Sequence, residues 1–520
     1  MSHAASESPT RNETRAAARA LRARFDGAFG TARALDCLWV VSVFAGTFSA
    51  VLLFWGRVLL SDTYTSLTVG RLITQSGLPH KDTLTVAGRG ATWIDQQWLA
   101  HLVVYESWRL GGYPLVGVLS AGLIATAFAL MFVVMLSGGT NPVFAFGISG
   151  ACFVVADLNF ETRPQSFAYP LFMVLILLLA REERTPSFRQ RLLLAWPILL
   201  LWGNLHGSVL LGVGVCLLYC ALRSLTAGRE RRLTQIVWYS VLAIGAVLSS
   251  AITPYGTTII SYYPHLLGNP NLRSIAEWQP ANYAGLSIPF DLLLAVAIGS
   301  ICYAWGRGIR PSTFALALAV GLALMATQAV RYEVWFAFGA AFLLSDIRGR
   351  FDALQPRSSR LNSALPQMAA IIMIVVAICA IAVVATTPTS TFERLTPPDA
   401  LRWTASYDVL GGDHASVLTD DLTGSALTWA YPDLAGRVAF DSRTEIFPYN
   451  TFEQLARFLT LTGDWQASTH DNYNVISVAC SGRTALCQKL DQLPGWHTAY
   501  WSSAAIVLYR DPNLLTQPPG

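Results

Sequence analysis

Acidic, basic and polar side chains gather at the ends of long apolar runs in this sequence of 520 residues. Asp62 directly follows the first of these runs, at the point where apolar sequence gives way to polar sequence. A carboxylate that is partly withdrawn from water has a raised pKa and is a stronger base, which suits it to take a proton from a hydroxyl group. A helix-capping role is the alternative for Asp62.

Arg163 lies in a second polar segment, residues 157–165, between two further apolar runs. The guanidinium of arginine binds phosphate through two parallel hydrogen bonds, whereas lysine acts as a point charge. Arg163 is therefore a candidate for holding a phosphate group. A structural ion pair with Glu161 or Asp157 is the alternative.

Two short connections between apolar runs carry further candidates. Asn204 and His206 lie in one connection, and Arg331 lies in the other. Polar groups at membrane depth face the interior of a helix bundle or a water-filled cavity, so these three are candidates for binding a substrate or its phosphate. For His206 the alternative is a packing role, and for Arg331 it is an ion pair with Glu333.

The connection 254–286 is unusually long and contains Arg273 and Glu277. Long connections of this kind are often functional, so we expect it to act as a lid or to lie on the acceptor side of a site. Taken together, one face of the membrane gathers a carboxylate with Arg and His side chains. That combination suits a ligand with an anionic head group.

The amino-acid composition indicates what kind of protein positions these residues. Charged residues make up 13% of the chain and hydrophobic residues 53%, whereas a soluble domain has about 25% charged residues. A soluble enzyme, a disordered protein and a nucleic-acid binder are therefore excluded as classes. The composition predicts a polytopic membrane protein.

Eleven apolar runs are interpreted as membrane-spanning helices. They lie near 37–60, 114–136, 143–157, 167–180, 192–204, 208–222, 234–253, 287–305, 312–328, 334–346 and 366–386. Arginine-rich connections alternate with arginine-poor ones, so the positive-inside rule predicts a cytoplasmic N-terminus and an extracytoplasmic C-terminal tail. The long outer connections are then 61–113 and 254–286. The preference for Arg over Lys favours a bacterial inner (plasma) membrane.

Three parts follow from this topology: a basic cytoplasmic segment 1–35, a multi-span domain 36–386 and an extracytoplasmic tail 387–520. The arginines of the first part suit either contact with membrane lipids or a solvated tail. The tail alternates helix-like runs with strand-like runs, which predicts a small α/β domain. Its strand-like runs are 415–419, 437–440, 474–479 and 504–509. Cys480 and Cys487 are its only cysteines, and they are candidates for a disulfide outside the cytoplasm.

Several short strings resemble the membrane glycosyltransferases of the GT-C superfamily, in particular the bacterial dolichyl-phosphate-mannose–protein-mannosyltransferase-like group. They are Asp62-Thr63 followed by Gly70, Pro79-His80 followed by Asp82, Gln97-Trp98-Leu99, Arg163-Pro164-Gln165, Asn204 followed by His206-Gly207, Pro254-Tyr255-Gly256, Glu277-Trp278-Gln279-Pro280 and Asp441-Ser442-Arg443.

The resemblance implies a GT-C-like fold, a sugar linked to a polyprenyl phosphate as donor, and a lipid, glycan or protein as acceptor. It also implies inversion at the anomeric carbon and a general base in the first outer loop. The matching residue is Asp62, with Asp82 and Asp95 as fallback positions. Thr65 and Ser66 stand where such relatives carry aromatic and histidine residues. No Asp-x-Asp pattern follows Asp62, so neither a metal nor another cofactor is predicted.

Two other functions compete with sugar transfer. A transporter or flippase would move a lipid-linked substrate through the helix bundle, but such folds usually contain internal repeats and the sequence has none. A non-catalytic membrane protein would use the outer domain to bind a partner. Eleven spans exceed what an anchor needs, and polar residues gathered at one membrane face favour catalysis.

Overall fold

The structure, a computed structural model, describes residues 34–184, 186–228, 232–280, 288–354, 364–410, 416–470 and 473–510. Almost all of the predicted basic segment 1–35 lies outside the described residues. The first thirteen helices are α1 (Ala34–Phe54), α2 (Ser61–Ser76), α3 (Trp98–Ser137), α4 (Pro142–Ala156), α5 (Ala168–Arg184), α6 (Ala195–Leu205), α7 (Val209–Leu225), α8 (Arg232–Ser250), α9 (Thr258–Leu267), α10 (Ile288–Gly306), α11 (Thr313–Ala326), α12 (Glu333–Leu354) and α13 (Ala364–Ala385).

Each of the eleven predicted spans overlaps one of these helices. Within the described ranges, seven helices are long and apolar enough to cross a membrane, namely α1, α3, α4, α5, α8, α10 and α13. Helices α7 and α11 are apolar but shorter. The exact number of crossings therefore stays a prediction.

The predicted first outer loop, 61–113, contains regular structure. Its first part forms helix α2, and its last part forms the first half of α3. Helix α3 is broken at Gly111 and Gly112, where Gly112 adopts a φ of 64°. This left-handed conformation is readily accessible only to glycine, so the break separates a half-helix that packs on α2 from a half-helix that is embedded in the core.

The C-terminal segment, residues 389–510, contains a four-stranded sheet and short helices. The strands are β1 (Val417–Thr419), β2 (Val475–Ala479), β3 (His497–Trp501) and β4 (Ala505–Tyr509), and they lie side by side in the order β1-β2-β4-β3. The β1–β2 pair is parallel, whereas the β2–β4 and β4–β3 pairs are antiparallel. The helices are α14 (Thr389–Phe392), α15 (Pro398–Leu410), α16 (Asp421–Ala430), α17 (Tyr449–Thr460), α18 (Ala467–His470) and α19 (Thr484–Leu490).

Two details of the C-terminal segment differ from the sequence-based expectation. The predicted strand 437–440 forms only isolated bridges at Val438, one to Val417 and one to Thr85. Strand β3 was not predicted, because its residues are mostly exposed or half-buried and do not alternate clearly.

Cys480 and Cys487 form a disulfide with their Cα atoms 5.9 Å apart.

The C-terminal segment packs directly on α2. Arg71 of α2 donates hydrogen bonds to the carbonyls of Thr428 and Trp429 at 2.7 and 2.9 Å, which satisfies carbonyl groups at the end of α16. The hydroxyls of Thr65 and Ser425 are 3.0 Å apart. Helix α2 is therefore fixed between α3 and α16.

A buried charge cluster ties the same segment to the connection between α2 and α3. Arg443 binds Asp82 at 2.8 Å and Asp441 at 2.6 Å, and all three side chains are at least 95% buried. The guanidinium of Arg443 also lies 4.2 Å from the ring centroid of Trp93. Removing one member of such a buried cluster leaves an uncompensated charge, so the cluster holds the two parts of the chain in one arrangement.

We predict that Gly70→Ala destabilises the protein by disturbing the contact between α2 and α3. A Cβ atom at Gly70 would lie 2.4 Å from both the carbonyl oxygen of His101 and the Cβ of Tyr105. Overpacking of this kind costs about 1–3 kcal/mol. A lowered melting temperature of the detergent-solubilised protein is the expected result.

Gly122→Ala in α3, the helix against which α2 packs, is the matched control. A Cβ atom there would meet nothing within 4 Å, and alanine favours a helix over glycine by about 1 kcal/mol. We expect an unchanged or higher melting temperature. Equal losses in both variants would contradict the close contact at Gly70.

Candidate active site

A cavity of about 1090 Å³ lies between the helix bundle and the C-terminal segment. Its apolar wall comes mainly from α7 and α11. The charged and polar residues that line it include Ser61, Asp62, Gln96, Glu161, Arg163, Gln165, His206, Glu277, Arg331, Asp421, Ser442, Glu445 and Arg483.

Five of the residues singled out from the sequence line this cavity together: Asp62, Arg163, His206, Glu277 and Arg331. They come from five separate stretches of chain. Asp62 lies in the first turn of α2, and His206 directly follows α6. Arg163, Glu277 and Arg331 lie in or next to short 3₁₀ helices between the longer helices. Local sequence therefore places each side chain at a helix end, and helix packing brings the ends together.

Arg163 and Arg331, which we call the arginine pair, are bridged by one carboxylate. Glu277 forms an ion pair with Arg163 and a second with Arg331 at 3.1 Å. Arg331 also donates to Gln165 at 3.1 Å and lies 4.3 Å from the ring centroid of Trp278. Glu277 is thus the carboxylate partner of Arg331 here, in place of the Glu333 considered from the sequence.

The electrostatics of the arginine pair follow from this bridge. Burial would raise the pKa of Glu277, but Arg331 and Arg163 outweigh burial and lower it to about 2. Burial would lower the pKa of Arg163, but Glu277 and then Glu161 raise it above its ordinary value. Glu277 and Arg163 are therefore both ionised at neutral pH, and the Glu277 carboxylate lies between two guanidiniums.

Asp62 lies between the arginine pair and the C-terminal segment and keeps part of its surface open to the cavity. Burial and the negative charge of Glu277 raise its pKa, against the opposing effects of Arg163, the hydroxyl of Ser442 and Arg331. The adjacent Ser61 hydroxyl is hydrogen-bonded to Asp421. Both residues of this first turn are thus held by the C-terminal segment, which leaves a carboxylate with increased basicity facing open space.

His206 and Glu161 complete the wall around the arginine pair. Burial, and then the charges of Arg331 and Arg163, lower the pKa of His206 to about 3, so its imidazole is neutral. The Nδ1 atom of His206 accepts from the backbone amide of Ser208 at 3.0 Å, which leaves the proton on Nε2 as a hydrogen-bond donor. Burial raises the pKa of Glu161 to about 7, although Arg163 opposes this shift.

Three other predicted residues lie outside this cavity. Asn204 bonds to the carbonyls of Leu200 and Ile252 and accepts from Trp98 at 3.0 Å, so its polar atoms are satisfied by protein groups. Arg273 is exposed and does not line the cavity. Asp95 lines a smaller space behind Asp62.

The residues that the C-terminal segment contributes are not evident from the sequence. Asp421, Ser442, Glu445 and Arg483 line the cavity from this side. Each is separated from Asp62 by more than 350 positions, so no local spacing links them to it. The only signal was the Asp441-Ser442-Arg443 string. The structure therefore adds a second wall, which is charged and faces the arginine pair across Asp62.

Within the part of the chain that the structure describes, no group of three or more His, Cys, Asp or Glu side chains is arranged to hold a metal ion. The groups of the cavity can instead act as one base, two anion-binding guanidiniums and a neutral donor. This set suits a reaction in which a hydroxyl loses a proton while negative charge grows on a phosphate.

The fold is similar to that of a solved oligosaccharyltransferase. The oligosaccharyltransferase of Archaeoglobus fulgidus, solved with a tethered acceptor peptide that contains the NVT sequon, has a TM-score of 0.53 and 11% sequence identity. The alignment covers 91% of this chain and 74% of that chain. ArnT from Cupriavidus metallidurans bound to undecaprenyl phosphate has a TM-score of 0.45 and 11% identity, with 95% of this chain and 99% of that chain covered.

No protein-family profile matches the sequence, and no curated protein matches it. The likeness to the archaeal enzyme therefore defines the fold alone. With the seven helices that are long and apolar enough to cross a membrane, it supports a multi-pass membrane protein with the fold of that oligosaccharyltransferase.

We predict that Glu161→Gln changes how stability depends on pH. Because the pKa of Glu161 is raised to about 7 in the folded protein, the folded state binds more protons than the unfolded state between the ordinary value of 4.5 and 7. The contribution of Glu161 to stability therefore falls as the pH rises through this window. The melting temperature of the wild type minus that of the variant should decrease from pH 5 to pH 8.

Glu106→Gln, at an exposed carboxylate on α3, is the control for general effects of removing a negative charge. The melting-temperature difference between the wild type and Glu161→Gln is compared with the same difference for Glu106→Gln. A difference for Glu161→Gln that stays constant with pH, or that changes in the same way as the control, would contradict the raised pKa of Glu161.

Proposed function

We propose that this protein transfers a sugar from a polyprenyl-phosphate-linked donor to a lipid, glycan or protein acceptor. The observation that carries the proposal is the meeting of Asp62 with Arg163 and Arg331 in one cavity that also has an apolar wall. A base, a phosphate site and a site for a hydrocarbon chain are the three features that this reaction needs.

The arginine pair binds the donor phosphate in this proposal. Arg163 is almost fully buried, and its Nε atom has no hydrogen-bond partner among the described residues. A buried unsatisfied donor is costly, so an anionic ligand is favoured there. The Nε2 proton of His206 adds a neutral donor, and these groups stabilise the charge that develops on the leaving phosphate.

The apolar wall supports a donor with a hydrocarbon chain. Leu211, Val215 and Leu218 of α7 face the cavity together with Leu318 and Leu322 of α11. The three residues of α7 extend over about 10 Å along the helix at a rise of 1.5 Å per residue. An isoprenoid tail buries its surface favourably against such a wall, at about 25 cal/mol per Å².

Asp62 acts as the general base. Its carboxylate removes the proton from the acceptor hydroxyl as the hydroxyl oxygen attacks the anomeric carbon, and the phosphate leaves with the bonding electrons. The raised pKa of Asp62 brings its basicity closer to what proton abstraction requires. Attack opposite to the phosphate inverts the anomeric carbon.

The proposed location is a bacterial inner membrane, with the cavity and the C-terminal segment on the extracytoplasmic side. The alternation of arginine-rich and arginine-poor connections supports this orientation. The Cys480–Cys487 disulfide supports it too, because disulfides persist in oxidising compartments.

We predict that Asp62→Asn lowers the transfer rate by about 100-fold or more, the range that a general base contributes. The assay uses full-length protein in vesicles that contain undecaprenyl-phosphate sugars and envelope fractions as acceptors. It measures the release of undecaprenyl phosphate. Binding of undecaprenyl phosphate to the variant should stay within a few-fold of the wild type, because asparagine retains the shape of aspartate.

Asp433→Asn, outside the cavity lining in the C-terminal segment, is the matched control and should retain wild-type turnover. Unchanged turnover in Asp62→Asn would exclude the base assignment. Absence of donor turnover in the wild type, across hexose and pentose donors, would contradict the transferase proposal.

We predict that Glu277→Gln tightens the binding of undecaprenyl phosphate about 3- to 10-fold. Glu277 occupies the arginine pair with a carboxylate, so a phosphate that binds there has to compete with it. The glutamine keeps a carbonyl oxygen as an acceptor but removes the competing charge. Quenching of tryptophan fluorescence reports binding, because Trp278 lies against Arg331.

The neutral alcohol undecaprenol provides the comparison for this measurement. Its binding should be the same in the wild type and in Glu277→Gln, because it has no phosphate for the arginine pair. Weaker binding of undecaprenyl phosphate to Glu277→Gln would show that Glu277 supports the phosphate site and does not compete for it.

A further inference from the structure

A small second cavity, which we call the side chamber, also adjoins Asp62. Its volume is about 60 Å³. Its polar lining includes Asp62, Asp95, Gln96, His101, Arg443 and Glu445. A volume of this size holds a few water molecules. Asp62 lines both the side chamber and the large cavity, so its carboxylate connects the two spaces.

Two residues that line the side chamber each have a buried polar atom without a partner in the described part of the chain, which favours water beside them. Nη1 of Arg443 and Oε1 of Gln96 have no hydrogen-bond partner among the described residues. The remaining donors of Arg443 bind Asp441 and Asp82, and the side chain is 95% buried. Water in the side chamber would satisfy both atoms, as buried water usually does for isolated polar groups.

The side chamber also contains a hydrogen-bonded acid–imidazole pair. Oδ2 of Asp95 lies 3.0 Å from Nδ1 of His101, and both side chains are more than 90% buried. Asp95 also accepts from the backbone amide of Gln97 at 3.0 Å, which fixes its orientation. An ionised Asp95 requires a proton on Nδ1 of His101, so Nε2 is the basic nitrogen of this imidazole.

We infer that the side chamber is a proton outlet, in which water carries the proton from Asp62 to Nε2 of His101. This inference rests on the proposed function. The acceptor O–H bond breaks, its proton moves to Asp62, and a chain of water then moves the proton to His101. Asp95 stabilises the resulting imidazolium, as an adjacent carboxylate does for other catalytic histidines. His101 therefore acts through Asp62 as a positioning and relay residue.

The location of the side chamber explains why such an outlet is useful. When donor and acceptor fill the large cavity, they cover the face of Asp62 that is open to it. Asp62 also borders the side chamber, so it can lose its proton before the next turnover. The burial-raised pKa of Asp62 slows spontaneous release of this proton and increases the value of a nearby acceptor.

Charged groups around Asp62 and around the side chamber affect this proton transfer. Arg163, Arg331, Glu161 and Glu277 face Asp62 from the large cavity. Arg443 and Glu445 face the side chamber from the C-terminal segment, and burial raises the pKa of Glu445 to about 7. Glu445 is thus a competing proton acceptor, and the test has to separate it from His101.

The first experiment titrates His101 without relying on activity. The full-length protein is labelled with ¹⁵N at its histidines and placed in nanodiscs. The imidazole signal that is lost in His101→Gln is the signal of His101. In the inferred arrangement, Asp62→Asn shifts the titration of this signal by at least half a pH unit, whereas Glu445→Gln shifts it less. An unchanged His101 titration in Asp62→Asn would overturn the inference.

The second experiment measures the pH profile of transfer in vesicles that contain undecaprenyl-phosphate sugar. His101→Ala should lower the maximal rate about 10- to 100-fold while the affinity for undecaprenyl phosphate stays unchanged. Added imidazole should restore at least a third of the lost rate, an effect that a purely structural role would not produce. His265→Gln, at an exposed histidine on α9, is the control and should behave as the wild type.

The outcomes separate this inference from the proposed function. A wild type without transfer activity contradicts the proposed function, whereas the His101 titration still tests the connection to Asp62. An active wild type with a His101→Ala variant of unchanged rate and pH profile overturns the outlet and leaves the transferase intact. Lost rate in His101→Ala without rescue by imidazole also contradicts the relay.

Discussion

The bridge of Glu277 between Arg163 and Arg331 is the interaction on which the rest of the site depends. Two guanidiniums withdrawn from water repel each other and lose hydration, so they stay close only if an anion lies between them. In this structure that anion is a carboxylate from the connection between α9 and α10. Three distant stretches of chain are therefore held together by one charge.

The C-terminal segment is part of the site and not an appendage. It supplies Ser442 beside Asp62 and Asp421 beside Ser61. The buried cluster of Arg443 with Asp82 and Asp441 fixes the segment to the chain between α2 and α3. A carboxylate whose neighbours come from both parts of the molecule has this environment only when these parts are assembled.

The sequence predicted the helical regions well because long apolar runs have one dominant physical solution in a membrane, a helix. It also selected Asp62, Arg163, His206, Glu277 and Arg331, since a charged group at the end of an apolar run has few other reasons to be there. The sequence did not select the opposite wall of the cavity. Residues such as Arg483 lie in a polar segment, where charge is ordinary and carries no signal.

The interaction partners of the candidate residues were harder to predict than the places of these residues in the fold. Glu333, two residues from Arg331, was the nearest carboxylate along the chain, but the structure pairs Arg331 with Glu277. A turn between helices points its side chains across the bundle, so the partner is set by packing and not by spacing. Packing also explains why no strand forms at 437–440. Val438 forms one isolated bridge to Val417 and another to Thr85, which belongs to the connection that follows α2.

The apolar face that α7 and α11 turn toward the cavity has a kinetic consequence. A ligand that packs its tail there is already dissolved in the bilayer, so it arrives by diffusion in two dimensions. Occupancy then follows the mole fraction of that ligand among the surrounding lipids, whatever the volume of buffer. Dilution with inert lipid should slow such a protein, whereas dilution with water should not.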